Sequence, residues 1–554
     1  MNSFITVSVI GGLSSEVAVG TCVASLCPPQ PDTNTDLPWV AALVNNDLVS
    51  LTYPLTVNSD VRLITAANPH GWRVYRWSVC YLLAKAVRDV APQAAFAIEH
   101  AFGPGLYCSF NNGTPLTSET IGRIRDRMHA LIQANLPIER RKVSFLDAVH
   151  TFENEGLDEK QHLLQYRNPP RVVIHLCEGF CDLAHGPLTP TTGMLANFEL
   201  IPYPPGFILQ LPTLEAPATV PPFKDQPHLF QIFREHKNWG RILGVTTVGR
   251  LNRIAFSGLV ERFIHTAEAL HEKKLAKIAD QLTERQTPIR MVLIAGPSSA
   301  GKTTFAKRLT THLRVNGLEP LTIATDDYFV GDGLNPLDSD GKPDYEHIEA
   351  VDLNAFNRDL LSLTEGRTIT VRRFNFETRQ PELSGETMQL GRDQVLIIEG
   401  IHGLNPRLTA MIPSEQKFRI YVNALTQLNV DSHNRISTTD NRLIRRMVRD
   451  HQFRGHSPLR TLSLWPMVRR GEERWIFPFQ QEADATFNSA LDYELAVLKP
   501  FVEPLLMQIK PDRPEYAESR RLTEFLLNFI PVQEDLVPRN SILREYIGGS
   551  MLHY

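Results

Sequence analysis

Met291-Val292-Leu293-Ile294-Ala295-Gly296-Pro297-Ser298-Ser299-Ala300-Gly301-Lys302-Thr303-Thr304 decides how the rest of the chain is read. An apolar run of strand length ends in a glycine-rich turn, and Lys-Thr-Thr then opens an amphipathic segment. Gly296 and Gly301 followed by Lys302 and Thr303 make the Gly-x4-Gly-Lys-Thr pattern of a phosphate-binding loop. The glycines let backbone amides turn inward around phosphate oxygens, and the next helix points its positive end at them. Residues 296–304 (Gly296, Pro297, Ser298, Ser299, Ala300, Gly301, Lys302, Thr303 and Thr304) are therefore expected to hold a nucleoside triphosphate. Lys302 would reach the β- and γ-phosphates, and the Thr303 hydroxyl would ligate Mg²⁺.

The chain has 554 residues, which suits three or four domains better than one core. Its 57 basic and 61 acidic residues leave a net charge of −4, so the chain as a whole is not a polyanion binder. All six cysteines lie in the first third, and at this length they read as reduced thiols in a cytoplasm, not as a disulfide scaffold. Cys177, Cys181 and His185 have unusual spacing for metal ligands and begin inside an expected strand, so packing is the preferred reading. No apolar run reaches membrane-spanning length, and no signal segment opens the chain.

Downstream of the loop, Leu321–Thr325 reads as a second strand that delivers Asp326 and Asp327 at its carboxyl end, where parallel α/β sheets place ligands. Asp326 leaves the strand first and is the preferred general base, with a share in holding Mg²⁺; Asp327 reads as a turn or helix cap. Val395–Ile398 reads as a third strand and carries Glu399 toward the metal. Arg442, Arg445, Arg446 and Arg449 fall at helical spacing on one face, with Arg454 beyond. Such a face is expected to meet a polyanion, since guanidiniums grip phosphate oxygens at two points.

Over residues 288–515 these features resemble the phosphoribulokinase/uridine kinase family. The resemblance implies an α/β P-loop kinase domain, a parallel sheet flanked by helices, that uses ATP and Mg²⁺. It implies Asp326 as the base that activates a nucleoside 5′-hydroxyl, and it places the family's ribose-binding carboxylate on Glu346. The base-packing aromatic falls on Phe374, within Phe374-Asn375-Phe376, and the metal-shell acid on Glu399. The lid arginines fall on Arg446, Arg449 and Arg454, of which Arg446 and Arg449 are assigned with Lys302 and Asp326 to catalysis. Arg379 and His456 stand where uridine–cytidine kinases carry a His and an Arg. A site built to hydrogen-bond one base rejects others, so the resemblance implies a nucleoside acceptor without fixing the base.

The first 65 residues alternate short β-like runs with turns around Gly11-Gly12 and Asn45-Asn46-Asp47. They resemble the TGS domain, a small β-grasp module. Trp77–Val87 has helical spacing and resembles the helix of the second, α+β domain of threonyl- and alanyl-type tRNA synthetases, whose editing pattern is His-x3-His-Leu-Leu. Asp182–Gly193 resembles the second half of that editing site. The four ligand-type positions fall on Trp77, Tyr81, Ala184 and Leu188, which can neither bind a metal nor shuttle a proton.

The expected organisation is a TGS-like module at 1–65, an editing-like domain without its chemistry at 66–215 and a helical connector at 216–287. The kinase-like domain at 288–515 and an extension at 516–554 follow. Ser257–Gln286 is expected to be one amphipathic helix ended by Pro288, packed on the kinase core or paired in a dimer. The expected activity is transfer of the γ-phosphate of ATP to a nucleoside, uridine- or cytidine-like, in the cytoplasm. RNA contact by the N-terminal domains follows from analogy alone. Two alternatives stand beside it: a nucleotide-dependent RNA-binding or regulatory protein, and a sugar-phosphate kinase using Arg372, Arg373 and Arg379. Oligomeric state is not legible.

Overall fold

The short alternating runs of the first two hundred residues form strands that build three separate sheets. The computed structural model describes residues 4–10, 14–28, 37–285, 289–338, 341–375 and 378–552. Gly11, Gly12, Gln286, Pro288 and Phe376, used above, lie outside the described residues. By contacts the chain forms two units. The first comprises Met1–Ser257, Gln427–Ile436 and Glu503–Ile530; the second comprises Gly258–Thr426, Ser437–Val502 and Pro531–Tyr554.

In the first unit, β1 (Phe4–Val9), β2 (Ser14–Ala18), β3 (Trp39–Val44), β4 (Asp47–Val49) and β5 (Ser59–Thr65) form a sheet in the order β2-β1-β5-β3-β4. Strands β1 and β5 pair in parallel and the other neighbours antiparallel. Next come β6 (Phe96–Phe102), β7 (Gly105–Phe110), β8 (Glu139–Ser144), β9 (Arg171–Cys177), β10 (Phe180–Asp182), β11 (Glu199–Tyr203) and β12 (Gly206–Gln210). They make two more sheets, β11-β12-β7-β6 and β10-β9-β8.

Helix α1 (Pro69–Val90) starts where the Asn68 side chain accepts from the His70 amide at 2.9 Å, with Pro69 in the first turn. Its Tyr75, Val79, Leu82, Leu83 and Ala86 recur at helical spacing and pack on Ile121, Ile124, Met128 and Leu131 of α2 (Ser118–Gln133). The two stretches quoted as halves of an editing-like site meet here. A Cβ on Gly186 would strike the Trp77 ring, and the Tyr81 hydroxyl donates to the Phe180 carbonyl at 3.2 Å. Leu188 is buried and Ala184 packs on the same core.

Cys177 and Cys181 are buried free thiols, and burial pushes Cys181 up to about 12. Among the described residues no group of three His, Cys, Asp or Glu could hold a metal ion. His185 instead faces Asp431, Nε2 to Oδ2 at 3.4 Å. Helix α3 (Phe145–Asn154) is followed by α4 (Asp158–Leu164), whose Lys160 is buried. Lys160 pairs with Asp182 and, at 3.3 Å, with Asp431. His433 Nδ1 lies 2.6 Å from Asp182, and its amide donates to Asp431 at 2.9 Å. Residues 427–436 thus enter the first unit through charge.

Helices α5 (Pro227–Leu243) and α6 (Val248–Phe256) close the long N-terminal stretch of this unit. In the second unit, α7 (Val260–Thr283) buries Phe263, Ala267, Leu275 and Ile278. It lies on α8 (Lys302–Val315), where Arg308 and His312 both reach Glu272 at 2.8 Å, so this helix packs on the core of its own unit. The strands are β13 (Met291–Ala295), β14 (Glu319–Ala324), the hairpin β15 (Ile369–Asn375) and β16 (Gln380–Met388), β17 (Gln394–Glu399) and β18 (Lys417–Asn423). The main sheet runs β14-β17-β13-β18 and ends on the strand Ala485–Asn488, parallel throughout. Between β14 and β15 lies α9 (Leu353–Thr364), and α10 (Thr438–Arg454) and α11 (Pro458–Trp475) follow β18. Among the described residues no helix is long and apolar enough to cross a membrane.

Burial works against an ionised Asp431, but Lys160, His185 and His433 outweigh it and hold that carboxyl far below its usual range. A depressed carboxylate stabilises fully above its unfolded value, 3.8 for this group, and the contribution drains away as pH falls toward the folded value. Asp431→Asn is expected to remove about 3 kcal/mol at neutral pH by breaking a buried pair. It should also flatten the loss of stability between neutral pH and about pH 3. Urea unfolding at both pH values measures the two effects together.

Candidate active site

Register sets the site. Ile294 of β13 and Ala324 of β14 both sit opposite Glu399 of β17, so three parallel strands end on one row. The glycine-rich loop leaves β13 there, Asp326 leaves β14, and Glu399 is the last residue of β17 itself. This is the carboxyl edge where doubly wound sheets bind ligands. Strand β13 is buried along its whole length, as expected of a central parallel strand.

The loop is tight against the sheet. A Cβ on Gly296 would collide with the Val422 carbonyl oxygen, and Gly301 takes φ +81° at the start of α8. Lys302 Nζ donates to the Pro297 carbonyl at 3.2 Å. The Thr303 hydroxyl donates to Glu399 at 3.0 Å. Burial pushes the Glu399 carboxyl up to about 7 against the pull of Lys302, and the Asp326 charge adds to the rise. A hydroxyl and a carboxylate held together are hard oxygen ligands of the kind Mg²⁺ takes. Two protein groups suffice where phosphates and waters complete the shell. The residues fit the ion.

Glu346 is buried, and its Oε2 has no hydrogen-bond partner among the described residues. Burial raises its carboxyl to about 7 against Arg446, with the Glu472 charge adding to the rise. Helix α11 crowds it, since a Cβ on Gly471 would strike its side chain. Asp327 lies within the 3₁₀ turn Thr325–Tyr328, in keeping with a turn, and its Oδ1 accepts from the Phe374 amide of β15 at 3.4 Å. Phe374 packs edge-on to Phe329, ring centres 5.7 Å apart. Arg379 is exposed at the hairpin turn with φ +54°, and its carbonyl accepts from Asp332.

The arginines of α10 divide, which corrects the expectation of four unpaired charges on one face. Arg442 and Arg445 are buried and paired, with Glu472 and Glu494 respectively. Arg442 also donates to the Ser298 carbonyl at 3.1 Å, and Glu472 accepts from the Ser298 amide at 3.1 Å. Arg446 donates to the Ser298 hydroxyl at 2.7 Å and lies 3.2 Å from Asp450. Arg449 reaches Asp450 at 2.9 Å, while Arg454 and His456 lie 3.8 Å from it. Burial opposes ionising Asp450, yet Arg449, Arg446 and Arg454 hold its carboxyl below the usual range. The structure therefore gathers Lys302, Thr303, Asp326, Glu346, Glu399 and Arg446 around the loop. Arg449, Arg454 and His456 collect at Asp450.

Residues 291–496 match the phosphoribulokinase / uridine kinase family. Every residue just described for the loop, the strand ends and α10 lies inside this kinase-family domain. Solved structures that this chain matches include a possible uridine kinase from Bacillus stearothermophilus, 18% identical over 39% of this chain and 98% of that one, TM-score 0.28. Another is a D-glycerate 3-kinase from Cryptococcus neoformans, 15% identical over 48% of this chain and 89% of that one, TM-score 0.21. Both scores are low, so neither bears on the acceptor. The N-terminal region is similar to threonine–tRNA ligases. That of Pelobacter propionicus is 32% identical over 199 residues, 36% of this chain and 31% of its own. That of Syntrophotalea carbinolica is 34% identical over 166 residues, 29% of this chain and 26% of its own. The chain thus spans about a third or less of those relatives, and it joins their N-terminal likeness to a kinase-family domain.

Asp450 was legible beforehand, four residues after Arg446 and next to Arg449. Glu472 and Glu494 carried no such signal. Gly296→Ala is expected to leave the first unit folded and to lower the melting temperature of the second, because a backbone carbonyl cannot move aside. Calorimetry that resolves the two transitions checks it.

Proposed function

We propose that the chain is an ATP- and Mg²⁺-dependent kinase that phosphorylates the 5′-hydroxyl of a nucleoside. The observation that supports this most is the shared row of strand ends. It sets a candidate base, Asp326, beside a candidate metal acid, Glu399, and a phosphate loop. In this reading residues 296–304 and Lys302 hold the triphosphate, and Thr303 and Glu399 hold the metal, Asp326 sharing in it. The ion would neutralise charge on the transferring phosphoryl group. Asp326 takes the proton of the acceptor hydroxyl; the new O–P bond forms as the β–γ bridging bond breaks, and ADP leaves. Arg446, Arg449 and Arg454 stabilise the charge at that moment, so catalysis is positioning and electrostatics. The unpaired Glu346 oxygen accepts from a ribose hydroxyl, Phe374 packs on the base, and Arg379 and His456 stand near its edge.

The sugar-phosphate alternative needs cations at the acceptor. Arg372 is 2.9 Å from Asp359 and Arg373 is 3.3 Å from Glu386, which weakens it. The parallel β1–β5 pair supports a TGS-like module at 1–65, and the N-terminal likeness supports a synthetase-like domain at 66–215 that touches RNA. The connector, kinase and tail boundaries at 216–287, 288–515 and 516–554 are proposed with them, as is a cytoplasmic location. Purified protein with labelled ATP and a panel of nucleosides tests the reading. Label on a nucleoside supports it; ATP hydrolysis stimulated only by RNA replaces it with the regulatory reading. Asp326→Asn is expected to lower turnover at least about a hundredfold while ATP still binds. Near-normal turnover would take the base role from Asp326.

A further inference from the structure

The extension beyond the kinase-family match returns to the loop. In the second unit the segment after Pro531 ends in a short turn of helix, Arg544–Ile547. Ile542, Leu543 and Tyr546 of this segment are fully buried. The Tyr546 hydroxyl donates to the Ser299 carbonyl at 3.0 Å, and Arg445 lies over its ring at 5.1 Å. Ile542 sits against Gly301, where an added Cβ would meet its Cγ2 at 2.8 Å. Arg544 ties the segment down by donating to the Val537 carbonyl at 2.7 Å and the Glu534 carbonyl at 3.0 Å.

Glu545 then reaches the first turn of α8. Its Oε2 accepts from the Thr304 hydroxyl at 2.6 Å and from the Thr304 amide at 3.4 Å. Those are the donors a phosphate-binding loop turns toward its ligand at a helix N-terminus. The charge of Glu545 is felt at the cations Lys307 and Arg449, and also at the Glu399 carboxyl. A carboxylate oxygen on an amide and a hydroxyl, in a field of arginine and lysine, occupies the place and mimics the chemistry of a phosphate oxygen. The two cannot share those donors, and their charges repel.

We infer that the C-terminal segment is an intramolecular competitor of the nucleotide, with Glu545 standing in for a phosphate of the triphosphate. The inference rests on the proposed donor site and adds its regulation. Because the competitor belongs to the same chain, it acts at high effective concentration. The apparent nucleotide affinity is then the intrinsic one scaled by the fraction of molecules with the segment displaced. Anything that draws the segment away raises that fraction and opens the site.

The test is equilibrium binding of ATP with Mg²⁺ to the full chain, alongside Glu545→Ala, Glu545→Gln and Lys302→Ala. Glu545 is only partly buried, so its replacement removes a charge and not the anchoring of Tyr546. Glu545→Ala is expected to bind ATP about tenfold tighter, the scale of one charge-assisted hydrogen bond, with Glu545→Gln in between. Amide hydrogen exchange on the unaltered protein gives a second reading: residues 543–548 should lose protection when ATP is added. If binding requires Lys302 but is unchanged or weaker in Glu545→Ala, or if 543–548 gain protection, the segment is not a competitor and the donor site stands. If no Lys302-dependent binding is found in the unaltered protein or in Glu545→Ala, the donor-site reading falls and takes this inference with it.

Discussion

The ion pair between Arg442 and Glu472 has no access to solvent, and the shape of the site follows from it. Removing two charges from water is expensive, and close pairing with further hydrogen bonds compensates. Here the compensation reaches three elements. Arg442 belongs to α10 and Glu472 to α11, and between them they hold both the carbonyl and the amide of Ser298 in the glycine-rich loop. Arg469 donates to the other oxygen of Glu472 at 2.8 Å. Breaking this pair would strand a charge in the interior, so the loop and the two helices keep one relative geometry. Arg446, one turn further along α10, is consequently held at the Ser298 hydroxyl.

The parts legible in the sequence are those written in local pattern. Strand, turn and helix around residues 291–304 follow from an apolar run, two glycines and an amphipathic segment, and all three are present. Asp326 and Glu399 could be placed at strand ends because a parallel sheet has one ligand-binding edge. What stayed hidden was the spending of charge on distant partners. Glu472 is 30 residues from Arg442, Glu494 is 49 from Arg445, and Glu545 is 241 from Thr304. No periodicity connects such positions. The same holds for Lys160 and Asp431, 271 residues apart, whose pairing draws residues 427–436 into the first unit.

The first unit shows the complementary case, where the positions singled out in the sequence serve packing. Trp77, Tyr81, Ala184 and Leu188 offer no metal ligands, and in the fold they are packing groups around α1. The region also holds a buried network of Lys160, Asp182, Asp431, His185 and His433, with opposite charges facing each other at short range. A network satisfied in this way stabilises one arrangement of the chain.

Helix α10 shows how one motif divides between structure and function. On its inner side the charges balance by pairs: Arg442 has Glu472 and Arg445 has Glu494. On its other side Arg446, Arg449 and Arg454 all face the carboxylate of Asp450. Those cations stand where Arg446 touches the loop, and the N-terminus of α8 adds its own positive end to the local field. A field of that sign, made by protein groups already fixed in place, favours an anion. It is also the field in which the Glu545 carboxylate rests. The balanced pairs of Arg442 and Arg445 hold the arginines that contribute to it.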